Sequence, residues 1–251
     1  MVNELSNRVR ENLRGQLEQD PGAESSLAQM TNSLEAYRAY SKALESSEKL
    51  YVYEAEKYLR QAVQLDTNFA AAYLQLLMMK REGAAHKEAA ALLKKLKTID
   101  WKLSDIDKLR LNIQEKVIDR NYGEAIHLLE QAVESYPTNL AFRKELAIFY
   151  QFYQNDLDRA LEQHEIIVEL DPNQKLTYNN MGYLYAGRGE FTTAFKYFDK
   201  YQELAPDEPN PYDSKAEILI RAGRFDEAEI LLKYAYNKWP NFPFLAVRLA
   251  D

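Results

Sequence analysis

Residues 175–206 read KLTYNNMGYLYAGRGEFTTAFKYFDKYQELAP, and the order of apolar, small and turn residues in that stretch decides the fold. Tyr178, Met181, Gly182 and Tyr185 fall at i, i+3, i+4 and i+7, which places them on one face of a helix. Gly182 is the small member of that face, so a second helix can approach it closely. Gly189 ends the first helix. Phe191, Ala194, Phe198 and Tyr201 then run along a second helix, where large side chains surround the small contact residue Ala194 and the two rods can interlock. Pro206 closes the stretch at a place where proline, lacking an N–H, cannot continue a helical ladder.

The same closing position recurs as Thr67, Trp101, Pro137, Pro172, Pro206 and Pro240. A nearly fixed period, roughly 34 residues in length, predicts helix-turn-helix units that cannot bury their apolar faces alone and must stack on their neighbours. Second helices hold the register throughout: Ala55, Leu59, Ala62; Ala89, Leu93, Leu96; Ala125, Leu129, Ala132; Ala160, His164, Ile167; and Ala228, Leu232, Ala235. First helices are looser, carrying Tyr37, Tyr40 and Leu44; Tyr73 and Leu76; Leu109 and Ile113; and Leu146, Ala147 and Tyr150. In the third unit Asn112 and Lys116 fall at apolar positions, but Ser104 followed by Asp107 still marks a helix start, with a carboxylate near the positive end of the helix.

Tyr178, Met181, Gly182, Tyr185, Gly189, Phe191, Ala194, Phe198 and Pro206 together resemble the pattern of the tetratricopeptide repeat. So do Tyr212, Ala216, Leu219, Gly223, Phe225, Ala228, Leu232, Ala235 and Pro240 in the next unit. Two residues depart from it: Tyr201 stands where the family has a small residue, and Lys215 where it has leucine. The resemblance implies an all-α fold, a right-handed α-solenoid of about six helix-turn-helix repeats spanning residues 31–240, that binds a protein or peptide segment in a groove lined by the first helices. Residues 33–37, 65–70 and 205–214 also resemble a narrower group of bacterial regulators, in which a TolB-like, cyclase-like, kinase or winged-helix module precedes a tail of such repeats. That likeness implies the regulatory or partner-binding part of a bacterial signalling protein, with the output activity, in one version that of a nucleotide-dependent enzyme, outside this chain.

The family's register implies solvent-facing groove residues: Lys144, Ile148, Gln151 and Phe152 in the fourth unit, Leu176, Asn179, Asn180 and Tyr183 in the fifth, and Asn210, Asp213, Ser214, Glu217 and Arg221 in the sixth. Asn180 resembles the family's groove asparagines, whose amide both donates to and accepts from a peptide backbone. Tyr183 and Phe152 suit aromatic anchors for an extended segment, and equally suit packing between neighbouring repeats. The clamp that some members use for C-terminal carboxylates is excluded. Of Lys144, Ile148, Asn180, Asn210 and Ser214 at its positions, only Lys144 and Asn180 fit, and the later cations that would make charge-assisted hydrogen bonds are missing.

A chain of 251 residues with a net charge of −7 and no cysteine has no thiolate metal site, disulfide framework or thiol nucleophile. The acidic balance disfavours nucleic acid, and Lys94, Lys95, Lys97, Lys102, Lys108 and Arg110 read as the solvated side of two helices. The longest apolar stretch, residues 70–79, contains Gln75 and is too short to span a bilayer. A cytoplasmic location is expected, with the periplasm open. His86, His127 and His164 lie in three different units, and His164-Glu165 lacks the second histidine of a zinc helix. Gly187-Arg188-Gly189 falls in a helix–helix turn, not after a strand, and Asp207-Glu208 and Asp226-Glu227 are explained by helix polarity. No catalytic constellation, cofactor site or metal site is expected. Residues 1–30 read as an amphipathic helix with Leu5, Val9, Leu13 and Leu17 at four-residue steps, then a Pro21-Gly22 break. They are either a cap or the remnant of an upstream domain, and could pair two chains into a homodimer. Residues 241–251 read as the start of a C-terminal capping helix.

Overall fold

The computed structural model describes residues 31–80, 86–99 and 103–250. Among them every regular element is helical: α1 (Leu34–Glu48), α2 (Val52–Leu65), α3 (Ala70–Lys80), α4 (His86–Ile99), α5 (Asp105–Ile118), α6 (Tyr122–Ser135), α7 (Leu140–Phe149), a π-helical segment (Tyr150–Gln154), α8 (Leu157–Leu170), α9 (Lys175–Gly187), α10 (Phe191–Leu204), α11 (Asn210–Arg221), α12 (Phe225–Lys238) and α13 (Pro243–Ala250). The fold is an all-α array of helical repeats, the solenoid class. The expected helix over Leu5–Leu17 and the closing Trp101 lie outside the described residues.

The helices gather into two compact units, residues 1–125 and 126–251. In the first, α1 packs on α2 and α3 on α4, while α5 lies against α3 and α4. Tyr40, Leu59, Phe69 and Leu76 form one cluster there, with the Tyr40 and Phe69 rings 5.0 Å apart, and Leu77, Ala89, Leu96 and Leu111 form another. The second unit stacks α7 to α13 in chain order, each helix on the next, and α11 also touches α9 and α13.

The second-helix register is obeyed, except that Leu93 is only half-buried. Ala55, Ala62, Ala89, Leu96, Ala125, Leu129, Ala132, Ala160, Ile167, Ala194, Phe198, Ala228, Leu232 and Ala235 are all buried. A methyl group added to Gly182 would stand 2.7 Å from Phe198 Cζ, so the close approach expected of that glycine is real. Second helices end just before Pro137, Pro172, Pro206 and Pro240. Turns between first and second helices use a left-handed residue, Gly189 at φ 80° and Gly223 at φ 74°, but Leu50, Arg120 and Asn155 hold the same conformation without being glycine.

Three first-helix details differ from the sequence expectation. Leu44 is exposed, because α1 turns Ala36, Ala39, Tyr40 and Ala43 inward. In α5 the buried stripe is Leu111, Ile113, Gln114, Val117 and Ile118, which leaves Asn112 exposed and Lys116 half-buried, paired with Glu124 at 3.1 Å. The Ser104 hydroxyl does cap that helix, accepting from the Asp107 N–H at 3.1 Å. In the fourth unit, the chain from Pro137 to the start of α8 at Leu157 is a single residue longer than the matching stretches from Pro172 to Phe191 and from Pro206 to Phe225. The π segment absorbs that extra residue and returns the second helix to register.

Candidate functional site

The residues expected to form a groove all fall in the second unit, on the first helices α7, α9, α11 and the π segment. Each helix is set locally. The Asn139 side chain accepts from the Ala141 and Phe142 N–H groups to start α7, and Pro211 stands in the first turn of α11. Neighbouring first helices are joined by a chain of polar contacts. The Tyr183 hydroxyl of α9 donates to Glu217 Oε2 of α11 at 3.1 Å, and Ser214 also bonds to that hydroxyl. Arg248 of α13 donates from Nε to Asp213 Oδ1 at 2.6 Å and from Nη2 to Glu217 Oε2 at 2.6 Å.

Arg248 was not singled out from the sequence, yet the signal was there. It occupies in α13 the repeat position that Ser214 holds in α11 and Asn180 in α9, so α13 presents in the same register the residue that first helices turn toward their predecessor. Burial pushes the Tyr183 hydroxyl up to about 12, with Glu217's charge adding to it against the opposing Ser214 hydrogen bond. It remains a donor across the physiological range. Its ring also meets Phe198 edge-on at 5.4 Å, so Tyr183 belongs at once to the repeat core and to the polar chain.

The other expected groove residues divide. Asn180, Leu176, Ile148, Lys144 and Asn210 are half-buried on helical faces, and Lys144 Nζ donates to Gln174. Asn179 is only 7% exposed, and Asp213 and Ser214 are buried too, so none of the three faces solvent as the register implied. Asn179 Oδ1 is fully enclosed without a hydrogen-bond partner. Gln151 and Phe152 lie in the π segment, where α-helical spacing no longer governs direction. Gln151 is half-buried, whereas Phe152 is 70% exposed. Arg221, at the end of α11, is exposed.

Of the histidines, His164 is buried in α8 and His127 bonds to Gln131 at 3.1 Å. Lys97 pairs with Glu115, and Lys108 with Asp105 at 3.8 Å, so part of the basic run is already neutralised; Lys102 lies outside the described residues. Among the described residues no group of three or more His, Cys, Asp or Glu is placed to hold a metal, and no helix is long and apolar enough to cross a membrane.

A stack of two-helix units with small residues at the crossings, and side chains bridging consecutive first helices, defines a helical-repeat protein. The model of the tetratricopeptide repeat family matches residues 150–209, so the repeats in that stretch are tetratricopeptide repeats. Over 90 residues, 35% of this chain, it is 31% identical to protein O-mannosyl-transferase TMTC1 of Mus musculus. Over 119 residues, 47% of the chain, it is 24% identical to TPR repeat-containing protein PA4667 of Pseudomonas aeruginosa. These alignments span 10% and 20% of the two relatives' lengths. The crystal structure of the APC/C hetero-tetramer Cut9-Hcn1 superposes with a TM-score of 0.54 and 15% identity, covering 98% of this chain and 45% of that one. That likeness concerns the fold. Repeats of this kind make a protein-interaction scaffold.

Proposed function

We propose that the chain binds a protein or peptide segment along the first-helix face of α7, α9 and α11, without catalysis of its own. The observation that carries this reading is the polar chain Tyr183–Glu217–Arg248–Asp213, which fixes α9, α11 and α13 to one another, with Asn180 half-buried on α9. A face prepared in this way loses little side-chain freedom when a ligand arrives, and rigid surroundings favour affinity. Asn180 supplies an amide able to donate and accept, and Phe152, Ile148 and Leu176 supply apolar surface. Lys144, Gln151, Asn210 and Arg221 complete the candidate set.

The alignment with only a tenth of a much longer transferase supports the view that such an array serves as the partner-binding part of a larger protein. A regulatory tail in a bacterial signalling protein is our particular form of it. The test is a captured partner measured against Asn180→Ala and Tyr183→Phe, the second of which keeps the ring and removes only the hydroxyl. Weaker binding by folded variants supports the face. Affinity equal to that of the parent in both would remove it.

A further inference from the structure

A second site lies on the opposite helices of the same unit. The repeat pattern departs at Lys215, which takes the position that Met181 holds in the preceding repeat. Met181 is buried, whereas Lys215 is half-buried and sends its Nζ to Asp199 and, at 3.3 Å, to Gln202. Beside it, between α10 and α12, is a cleft of 550 Å³. Its apolar walls are Phe195, Leu219, Leu231, Ile230 and Tyr234. Ile230 is 71% exposed and Tyr234 half in water, although the preceding unit has Lys196 and Lys200 at those two positions. Solvated lysines in one repeat have thus become apolar residues in the next, on the lip of a cavity. Exposed apolar surface of this kind marks an interaction site.

The charges on the rim say what fits. Lys215 pairs with Asp199, and Arg224, whose guanidinium lies 4.6 Å over the Phe195 ring, donates to both oxygens of Glu227 at 2.6 and 2.5 Å. In each pair the carboxylate is the outer member: the side chains of Asp199 and Glu227 are 59% and 56% exposed, those of Lys215 and Arg224 23% and 43%. A carboxylate has about four lone-pair sites, so it can accept a second cation without releasing the first. An incoming carboxylate would instead meet like charge or have to break a pair. We infer that this cleft takes an extended peptide that places one branched aliphatic or aromatic side chain between the walls, with basic residues flanking it. This site is independent of the first-helix face.

The probe is a fluorescently labelled synthetic peptide with a leucine between lysines, measured by fluorescence polarisation against the full chain, beside a matched peptide with the leucine between glutamates. The basic peptide should bind at least about tenfold more tightly, and Ile230→Lys, which copies the preceding repeat, should weaken it about tenfold. Asn180→Ala and Tyr183→Phe should leave this affinity within about twofold, separating the cleft from the first-helix face. No saturable binding at about 1 mM, equal binding of both peptides, or insensitivity to Ile230→Lys would each overturn the inference.

Discussion

Replacing His164 by leucine should stabilise the protein, and increasingly so as the pH falls. In the other second helices, the register position of His164 is held by Leu59, Leu93, Leu129, Phe198 and Leu232. The imidazole is 1% exposed and its Nδ1 has no hydrogen-bond partner. Burial, with a smaller contribution from the charge of Lys144, pulls it down from 6.5 to about 4. Between those values the unfolded chain binds a proton that the folded one does not, so stability must fall as pH drops through 6.5 and level off below about 4. At roughly 1.4 kcal/mol per pH unit, this histidine should cost about 2 to 3 kcal/mol at pH 4.5 relative to pH 7.5. Urea denaturation of parent and His164→Leu at both pH values gives the test, because the two proteins differ at that one residue alone. The stability gap should widen by about 2 to 3 kcal/mol on acidification. Repeat arrays can unfold in parts, so the ring's own titration should be followed by NMR, with a midpoint expected near 4. Parallel stability profiles, or a midpoint near 6.5, would refute the argument that the ring is enclosed and unpartnered.

Gly182→Ala should lose about 1 to 3 kcal/mol, because Phe198 is buried and held by Tyr183 and cannot easily yield. Gly187→Ala, with nothing within 4 Å, should be neutral or gain about 0.5 kcal/mol; denaturant midpoints distinguish the two. Ala194→Leu and Ala228→Leu should each cost about 1 to 3 kcal/mol by overpacking, and midpoints near the parent would contradict the register. Arg120→Gly should add about 1 kcal/mol in thermal unfolding, since Arg120 holds φ 58° without glycine's freedom. Arg248→Ala leaves Asp213 buried without its cation and should cost about 1 to 3 kcal/mol, with faster hydrogen exchange in α13 than in α9.

The second helices were the most legible part of the chain. There the same small and large residues recur at each crossing, because two rods packed at close range tolerate few alternatives. The first helices were less so: Leu44 and Asn112 fell at nominal apolar positions and are exposed, since a face shared with only one or two neighbours can rotate by a residue without losing its burial. The candidate site was half legible. Asn180 and Tyr183 stand beside or within the polar chain, but Asn179 and Asp213 turned inward, and Gln151 and Phe152 were displaced by a π segment that no local propensity announces.

Period and residue size alone determined that this protein is an array of paired helices, because side-chain volume at a crossing acts between neighbours and is repeated in the sequence. Which polar groups meet depended on tertiary structure. Arg248 reaches Asp213 and Glu217 only because α13 is stacked beside α11, and the cleft beside Lys215 is lined by residues that α10, α11 and α12 bring together from separate stretches of the chain. Hydrogen bonds and cavities depend on distances of a few ångströms between segments far apart in the chain, and those distances are set when the helices pack.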